Sequence, residues 1–195
     1  VQGLIQSIKD TKEALNGDQR LAKAKFKAEI FINQLKDLNN AQRVDSIKQA
    51  NDTDNLKDLS QIVSTASDLN NSMSELKAKL KETVNPVKSS INYINADYDL
   101  KRQFNKAVKD AREALSKTKG ANLNERDIQG LSQAIDSTKD ALNGEQRLAE
   151  AKEKSKQFIK QLDTLNNAQN NYLTNEINKS DNIKDITNIV DNASS

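Results

Sequence analysis

Residues 1–68 restate residues 128–195. Over that stretch a constant offset of 127 holds without a gap, and 36 of the 68 aligned positions carry the same amino acid. Two words mark the repeat most clearly. Leu15-Asn16-Gly17-Asp18-Gln19-Arg20-Leu21-Ala22 returns as Leu142-Asn143-Gly144-Glu145-Gln146-Arg147-Leu148-Ala149, and Leu38-Asn39-Asn40-Ala41-Gln42 returns as Leu165-Asn166-Asn167-Ala168-Gln169. A fixed period of this kind belongs to repeat arrays, whose units bury against their neighbours what each leaves open alone. The chain therefore reads as a segment of a longer array.

Composition narrows the architecture to helices. Apolar residues make up 35% of the 195 and aromatic residues 4%, while five glycines and one proline leave little material for hairpins. Ala, Leu, Lys, Glu, Gln, Asp and Asn dominate, which suits polar helices with narrow apolar seams. The expectation is an all-α fold with small cores spread along the chain.

The seams can be followed in order. Leu4, Ile8 and Leu15 lie on one helical face, and Ile128, Leu131, Ile135, Thr138 and Leu142 repeat it. Asn16-Gly17 and Asn143-Gly144 then interrupt the pattern, which resumes at once, so either a kink or a short break fits. The next helix carries Leu21, Ala24, Ala28, Phe31, Leu35 and Leu38 in one copy and Leu148, Ala151, Ser155, Phe158, Ile159, Leu162 and Leu165 in the other. Asn39-Asn40 and Asn166-Asn167 are expected to close these helices through the left-handed conformation that Asn tolerates. A short helix follows, and here the copies differ. Leu173 and Ile177 form a core pair in the later copy, whereas Ser46 and Ala50 stand in their places and the apolar residues move to Val44 and Ile47. Either the helix is rotated in the first copy or its core is looser.

Thr53 or Asp54 is expected to cap a helix whose seam runs Leu56, Leu59, Ile62/Val63, Ala66, Leu69, Met73, Leu76, Leu80 and Val84. That length exceeds the usual globular helix, so one helix would serve two successive bundles. Asn85-Pro86 should end it, because the residue before proline avoids helical geometry. Ile91, Tyr93 and Ile94 would then cover a bundle end. Asp97 would cap a helix with Phe104, Ala107, Val108, Ala111, Leu115 and Thr118 in its seam, and Asn124 or Glu125 would open the last helix before Asn143-Gly144. The expected organisation is the last helix of a truncated bundle over residues 1–20, then three-helix bundles over 21–70, 71–147 and 148–195. Joined end to end by long shared helices, these would form a rod advancing about 50–60 Å per repeat.

Residues 148–195, with Leu148-Ala149-Glu150-Ala151-Lys152, Leu165-Asn166-Asn167-Ala168-Gln169, Ile183 and Ile186, resemble a GA module, the three-helix fold of bacterial albumin-binding domains. Residues 98–147, with Tyr98, Phe104, Ala107, Leu115 and Ala141-Leu142-Asn143-Gly144, resemble a FIVAR module. Their alternation is similar to the repeats of the giant staphylococcal cell-wall-associated matrix-binding proteins. The resemblance implies an extracellular protein at the bacterial cell surface with an adhesive role that includes fibronectin binding. It implies albumin binding only for some GA modules, through a surface around the second and third helices. The second helix presents Asn170, Asn171 and Tyr172 in one copy but Arg43, Val44 and Asp45 in the other, which argues against a shared albumin site.

Chemistry of other kinds is poorly supplied. The sequence contains no cysteine and no histidine, so it lacks a thiolate nucleophile, a Cys-type zinc site and the usual general base. Neither an enzyme nor a metal or cofactor site is expected. Carboxylate pairs such as Glu150/Glu153 and Asp136/Asp140 lie on polar helix faces with lysines in reach and read as solvated. Lys23-Ala24-Lys25-Phe26-Lys27 and Lys77-Ala78-Lys79-Leu80-Lys81 are followed closely by acidic residues and lack aromatic company, which argues against nucleic acid. No apolar run approaches the roughly 18 residues of a membrane span, and a monomer is expected. Among the tyrosines Tyr93, Tyr98 and Tyr172, the candidate for partner contact is Tyr172, beside the core residue Leu173 on a short helix. The functional expectation is an elongated adhesive spacer making weak multivalent contacts with host matrix ligands of the fibronectin type. The alternative is a GA-type module that binds albumin or another serum protein.

Overall fold

The computed structural model describes residues 2–194, the side chains of residues 13 and 14 excepted. Those residues form helices and no strand: α1 (Gln2–Ala14), α2 (Gly17–Gln34), α3 (Asn40–Asp52), α4 (Leu56–Lys88), α5 (Ile91–Ile94), α6 (Tyr98–Ala114), α7 (Glu125–Asp140), α8 (Gly144–Ile159), α9 (Asn167–Lys179) and α10 (Ile183–Ala193). The all-α class is the one the periodicity predicts. Asn16-Gly17 and Asn143-Gly144 are true breaks, because α1 and α7 stop before them and each glycine begins the next helix.

The asparagine pairs act at the opposite end from the one expected. No described non-glycine residue has a positive φ, and α2 and α8 have already ended at Gln34 and Ile159. Asn39 and Asn166 are instead the N-caps of α3 and α9. Each accepts from the backbone N–H of the Gln three residues on, and that Gln side chain accepts from the Asn backbone N–H in return. The reciprocal bonds satisfy donors that a helix start leaves open. At the other end of the same helices, Lys25 Nζ donates to the Asn51 carbonyl at 2.7 Å and Lys152 Nζ to the Asn178 carbonyl at 2.8 Å. Both copies thus fix the short helix by the same two devices.

With its phase set in this way, α3 is not rotated. Ala50 is fully buried where Ile177 is fully buried in α9, and Val44 points to solvent. The first copy keeps the face and uses a smaller side chain. Ile177→Ala should therefore destabilise the α8–α10 bundle by about 3 kcal/mol, the usual cost of emptying a core site. Urea titration followed by helical circular dichroism checks it.

One core assignment moves by one residue: Phe31 stands half-exposed while its neighbour Ile32 is buried. In the later copy, whose expected seam holds both Phe158 and Ile159, Ile159 is buried and Phe158 stands half-exposed. The cap of α4 is Asn55, which accepts from the Asp58 N–H at 2.8 Å, rather than Thr53 or Asp54. Asn124 caps α7 in the same manner.

The chain divides into two compact units. One comprises the residues through Lys77 with Arg112–Gly130, the other Ala78–Ala111 with the residues from Leu131 on. In the first, α2 packs on α3, and Ala28, Ile32, Leu38, Ala50, Leu59, Leu69 and Met73 are buried. The expected apolar face of α1 (Leu4, Ile8 and Leu15) is exposed. In the second, α8, α9 and α10 enclose Leu148, Ile159, Ile177 and Ile186, with Leu165, Leu173, Ile183 and Val190 packed around them. The short α5 packs on α8, and Tyr93 meets Phe104 edge-on at 6.0 Å between centroids.

The helix α4 is 33 residues long and contains Pro86. It does not end at Asn85 as the proline suggests. Proline removes one N–H and crowds the carbonyl four residues back, but only two residues of helix follow it. The final carbonyls are satisfied locally: Ser89 Oγ donates to the Asn85 and Pro86 carbonyls at 3.0 and 3.1 Å, and Ser90 Oγ to the Val87 carbonyl at 2.7 Å.

Candidate functional site

The two repeated words gather many of the long-range polar contacts among the described residues, and each is engaged in only one of its copies. Leu38-Asn39-Asn40-Ala41-Gln42 receives the end of α6 and the loop that leads from it to α7. The capping box uses the side-chain oxygens of Asn39 and Gln42 and leaves their amide nitrogens available. Asn39 Nδ2 donates to the Ala114 and Ala121 carbonyls at 3.2 and 2.9 Å, and Gln42 Nε2 donates to the Leu123 carbonyl at 2.9 Å. The Asn40 N–H adds a bond to the Lys117 carbonyl at 2.9 Å. From the loop side, Lys117 Nζ reaches the Lys36 carbonyl and, at 2.8 Å, the Leu38 carbonyl. Burial, with the Arg43 guanidinium adding to it, holds the Lys117 ammonium below its ordinary pKa, against a weaker pull from Asp37. Asn39 is 0% and Gln42 1% exposed, which requires partners for every polar atom. Gly120 is needed in this loop, because an added Cβ would lie 2.4 Å from Asn39 Nδ2 and 2.5 Å from the Ala114 carbonyl oxygen.

Leu142-Asn143-Gly144-Glu145-Gln146-Arg147 receives the turn formed by α5 and the residues after it. Asn143 caps no helix N–H; its carboxamide instead accepts from the Asp97 N–H at 3.0 Å and donates to the Asp97 carboxylate at 2.6 Å. Arg147 Nη1 donates to the Asn95 carbonyl at 2.9 Å and lies 3.1 Å from Asp97 Oδ1. The Glu145 N–H donates to Asn92 Oδ1 at 3.1 Å. Asn95, itself buried, donates to the Asp181 carbonyl and accepts from the Ile183 N–H, both at 2.8 Å, and so holds the start of α10 as well. Backbone passes so close to Gly144 that an added Cβ would lie 2.1 Å from the Asn92 carbonyl oxygen.

The other copies are open. Asn16, Gly17 and Arg20 are exposed, as are Asn166 and Gln169. Tyr172 is 64% exposed and lines a groove of about 490 Å³ with Leu165, Asn166, Gln169, Leu173 and Ala193. The structure thus places the residue singled out in the sequence next to the open copy of a word that is closed elsewhere. Sequence reasoning missed the roles of Asn39, Gln42, Asn95 and Asp97. The Asn-x-x-Gln spacing did signal the capping box, but nothing local signals the partners of the amide nitrogens.

The remaining candidates stay bland. Glu153 is held below its ordinary pKa first by its hydrogen bond to Lys156, the opposite of the upward shift a general acid needs. Asp136 pairs with Lys79, and Arg43 donates to the Asn33 and Leu35 carbonyls at 2.9 and 2.8 Å. No described helix is long and apolar enough to cross a membrane.

The family profile of the GA module fits residues 18–72 and 145–195, and that of the FIVAR domain fits residues 72–143. The extracellular matrix-binding protein ebh of Staphylococcus aureus (strain NCTC 8325 / PS 47) is 37% identical over 189 residues, 97% of this chain. The extracellular matrix-binding protein EbhA of the Newman strain is 37% identical over the same length. The chain spans only 2% of the first relative and 6% of the second. Among solved structures, a crystal structure of an EbhA domain from S. aureus superposes with a TM-score of 0.89 at 27% identity, covering 100% of this chain and 78% of that one. A structure from the characterisation of extracellular matrix binding protein (Embp)-mediated Staphylococcus epidermidis adherence to fibronectin gives 0.57 at 26% identity, over 64% of this chain and 98% of that one.

Proposed function

Since the chain belongs to the GA-module family, with a FIVAR domain between its two GA modules, we propose that it is a structural and adhesive segment of a giant bacterial cell-surface protein. In this reading it is an elongated, non-enzymatic, monomeric spacer outside the cell, built from bundles over residues 21–70, 71–147 and 148–195. It makes weak, repeated contacts with host matrix proteins of the fibronectin type, and many copies give useful avidity where one does not. The observation that carries the reading is α4. A single helix of 33 residues, about 50 Å at 1.5 Å per residue, contributes residues to both compact units. The names of the matrix-binding relatives supply the ligand class.

Surface plasmon resonance of the chain over immobilised fibronectin and albumin tests the binding half. Weak, fast-dissociating fibronectin binding that strengthens when the chain is multimerised is expected. Tight stoichiometric albumin binding would replace the spacer reading with that of a serum-protein capture module. Small-angle scattering tests the other half, with a rod-like profile expected and a compact globular one contradicting it.

A further inference from the structure

We infer that the open groove at Leu165–Gln169 and Tyr172 is a docking seat for the inter-helix loop of a second FIVAR domain, spaced from it as the Ala114–Leu123 loop is from Asn39. The internal repeat carries the argument. The same five-residue word, with the same capping box, stands at both places. In each box the oxygens of Asn and Gln are used within the word, at 2.9 Å for both bonds of the Asn166–Gln169 pair, so its two amide nitrogens remain to face outward. At the first copy those nitrogens meet three loop carbonyls. At the second they border an empty groove. A pair of donors fixed in orientation before its partner arrives loses little freedom on docking.

The surroundings fit the same occupant. The positions equivalent to Leu165, Asn166 and Gln169 are Leu38, Asn39 and Gln42, all completely buried beneath their cover. Around them the second seat is more apolar than the first, with Tyr172 and Leu173 where the first has Asp45 and Ser46. A loop carrying the features of Ala114–Leu123 would bury that surface: main-chain carbonyls toward the amides, a glycine at the tightest approach, and a lysine reaching back to the carbonyls before the word. The occupant is therefore a module of this chain's own kind rather than a host ligand, and Tyr172 becomes an inter-module contact.

The test extends the full chain. Residue 195 is in phase with residue 68, so appending a copy of residues 69–143 after Ser195 presents such a loop at the repeat spacing. Hydrogen exchange over residues 165–173 should slow by about tenfold or more, toward the rate of residues 38–46 in the same molecule. Asn166→Ala with Gln169→Ala should remove that protection, so that residues 165–173 of the extended chain exchange as fast as in the unextended chain carrying the same two changes, where only the cap of α9 is lost. Replacing the appended copy of Gly120 by Ala should also remove it, and serves as the second variant if the first fails to fold. The inference is overturned if the appended segment gains its full helicity while residues 165–173 exchange as before. It is overturned equally if fibronectin or albumin occupies the Tyr172 groove with the same affinity in extended and unextended chains, or if the loop docks only when supplied by a separate chain. The exchange readouts need no host ligand, so they can fail or succeed independently of the matrix-binding assay.

Discussion

Gly144→Ala is expected to destabilise the α5–α8 junction by about 3 kcal/mol, at the upper end of ordinary overpacking, whereas Gly17→Ala in the same word is expected to be neutral or stabilising by up to about 1 kcal/mol. At neither position does the backbone conformation exclude a side chain, since no glycine has a positive φ. The contrast comes from what lies opposite. At Gly144 the new methyl would meet the Asn92 carbonyl oxygen at 2.1 Å and the Ala96 nitrogen at 2.7 Å. Both are backbone atoms of a turn fixed by Asn95, Asn143 and Arg147, so they cannot swing away as a flexible side chain would. At Gly17 there is nothing within 4 Å, and alanine improves the first turn of α2. Thermal unfolding followed by circular dichroism, with hydrogen exchange over residues 143–150, distinguishes the two. Equal effects would mean that the word has one role in both copies.

The second large contrast is Asn39→Ala against Asn166→Ala. Each loses one helix cap, worth about 1 kcal/mol. Asn39→Ala also strands the carbonyls of Ala114 and Ala121 in a buried site, adding about 1–3 kcal/mol. The expected totals are therefore about 3 kcal/mol at Asn39 and about 1 kcal/mol at Asn166. Exchange rates should rise in residues 114–123 for the first variant, although that loop is about 80 positions away in sequence. The Asn166 variant should affect only the start of α9.

The repeat and the helical class were legible because both depend on local pattern. Apolar residues every three or four positions give the helices, and the constant offset aligns their ends, as with α3 and α9. Side-chain direction was less legible. Phe31 and Ile32 are both apolar neighbours, and only the packed bundle decides that the isoleucine turns inward. Pro86 misled because its effect depends on how much helix follows it, and two serines satisfy the last turn. The candidate site was the least legible part. Asn39 and Asn166 stand in identical five-residue words, and Asn16 and Asn143 in words that differ only by Asp18 against Glu145, so no property of the word itself separates an engaged copy from an open one. That difference is set by the Asn92–Asp97 turn and the Ala114–Leu123 loop, which lie far along the chain. The chemical nature of the words was visible all the same: Asn, Gln, Gly and Arg are good at reaching backbone groups and at letting backbone approach.

The account rests on each word being a polar seat that is filled in one copy and open in the other. Residue-resolved hydrogen exchange on the unmodified chain measures this directly, because protection follows the free energy of local opening. Residues 39–46 should exchange slowly and residues 166–173 quickly, while residues 144–150 should be slow and residues 17–23 quick, so that the order of the two copies reverses between the words. Matching protection of the two copies at both words would contradict the account.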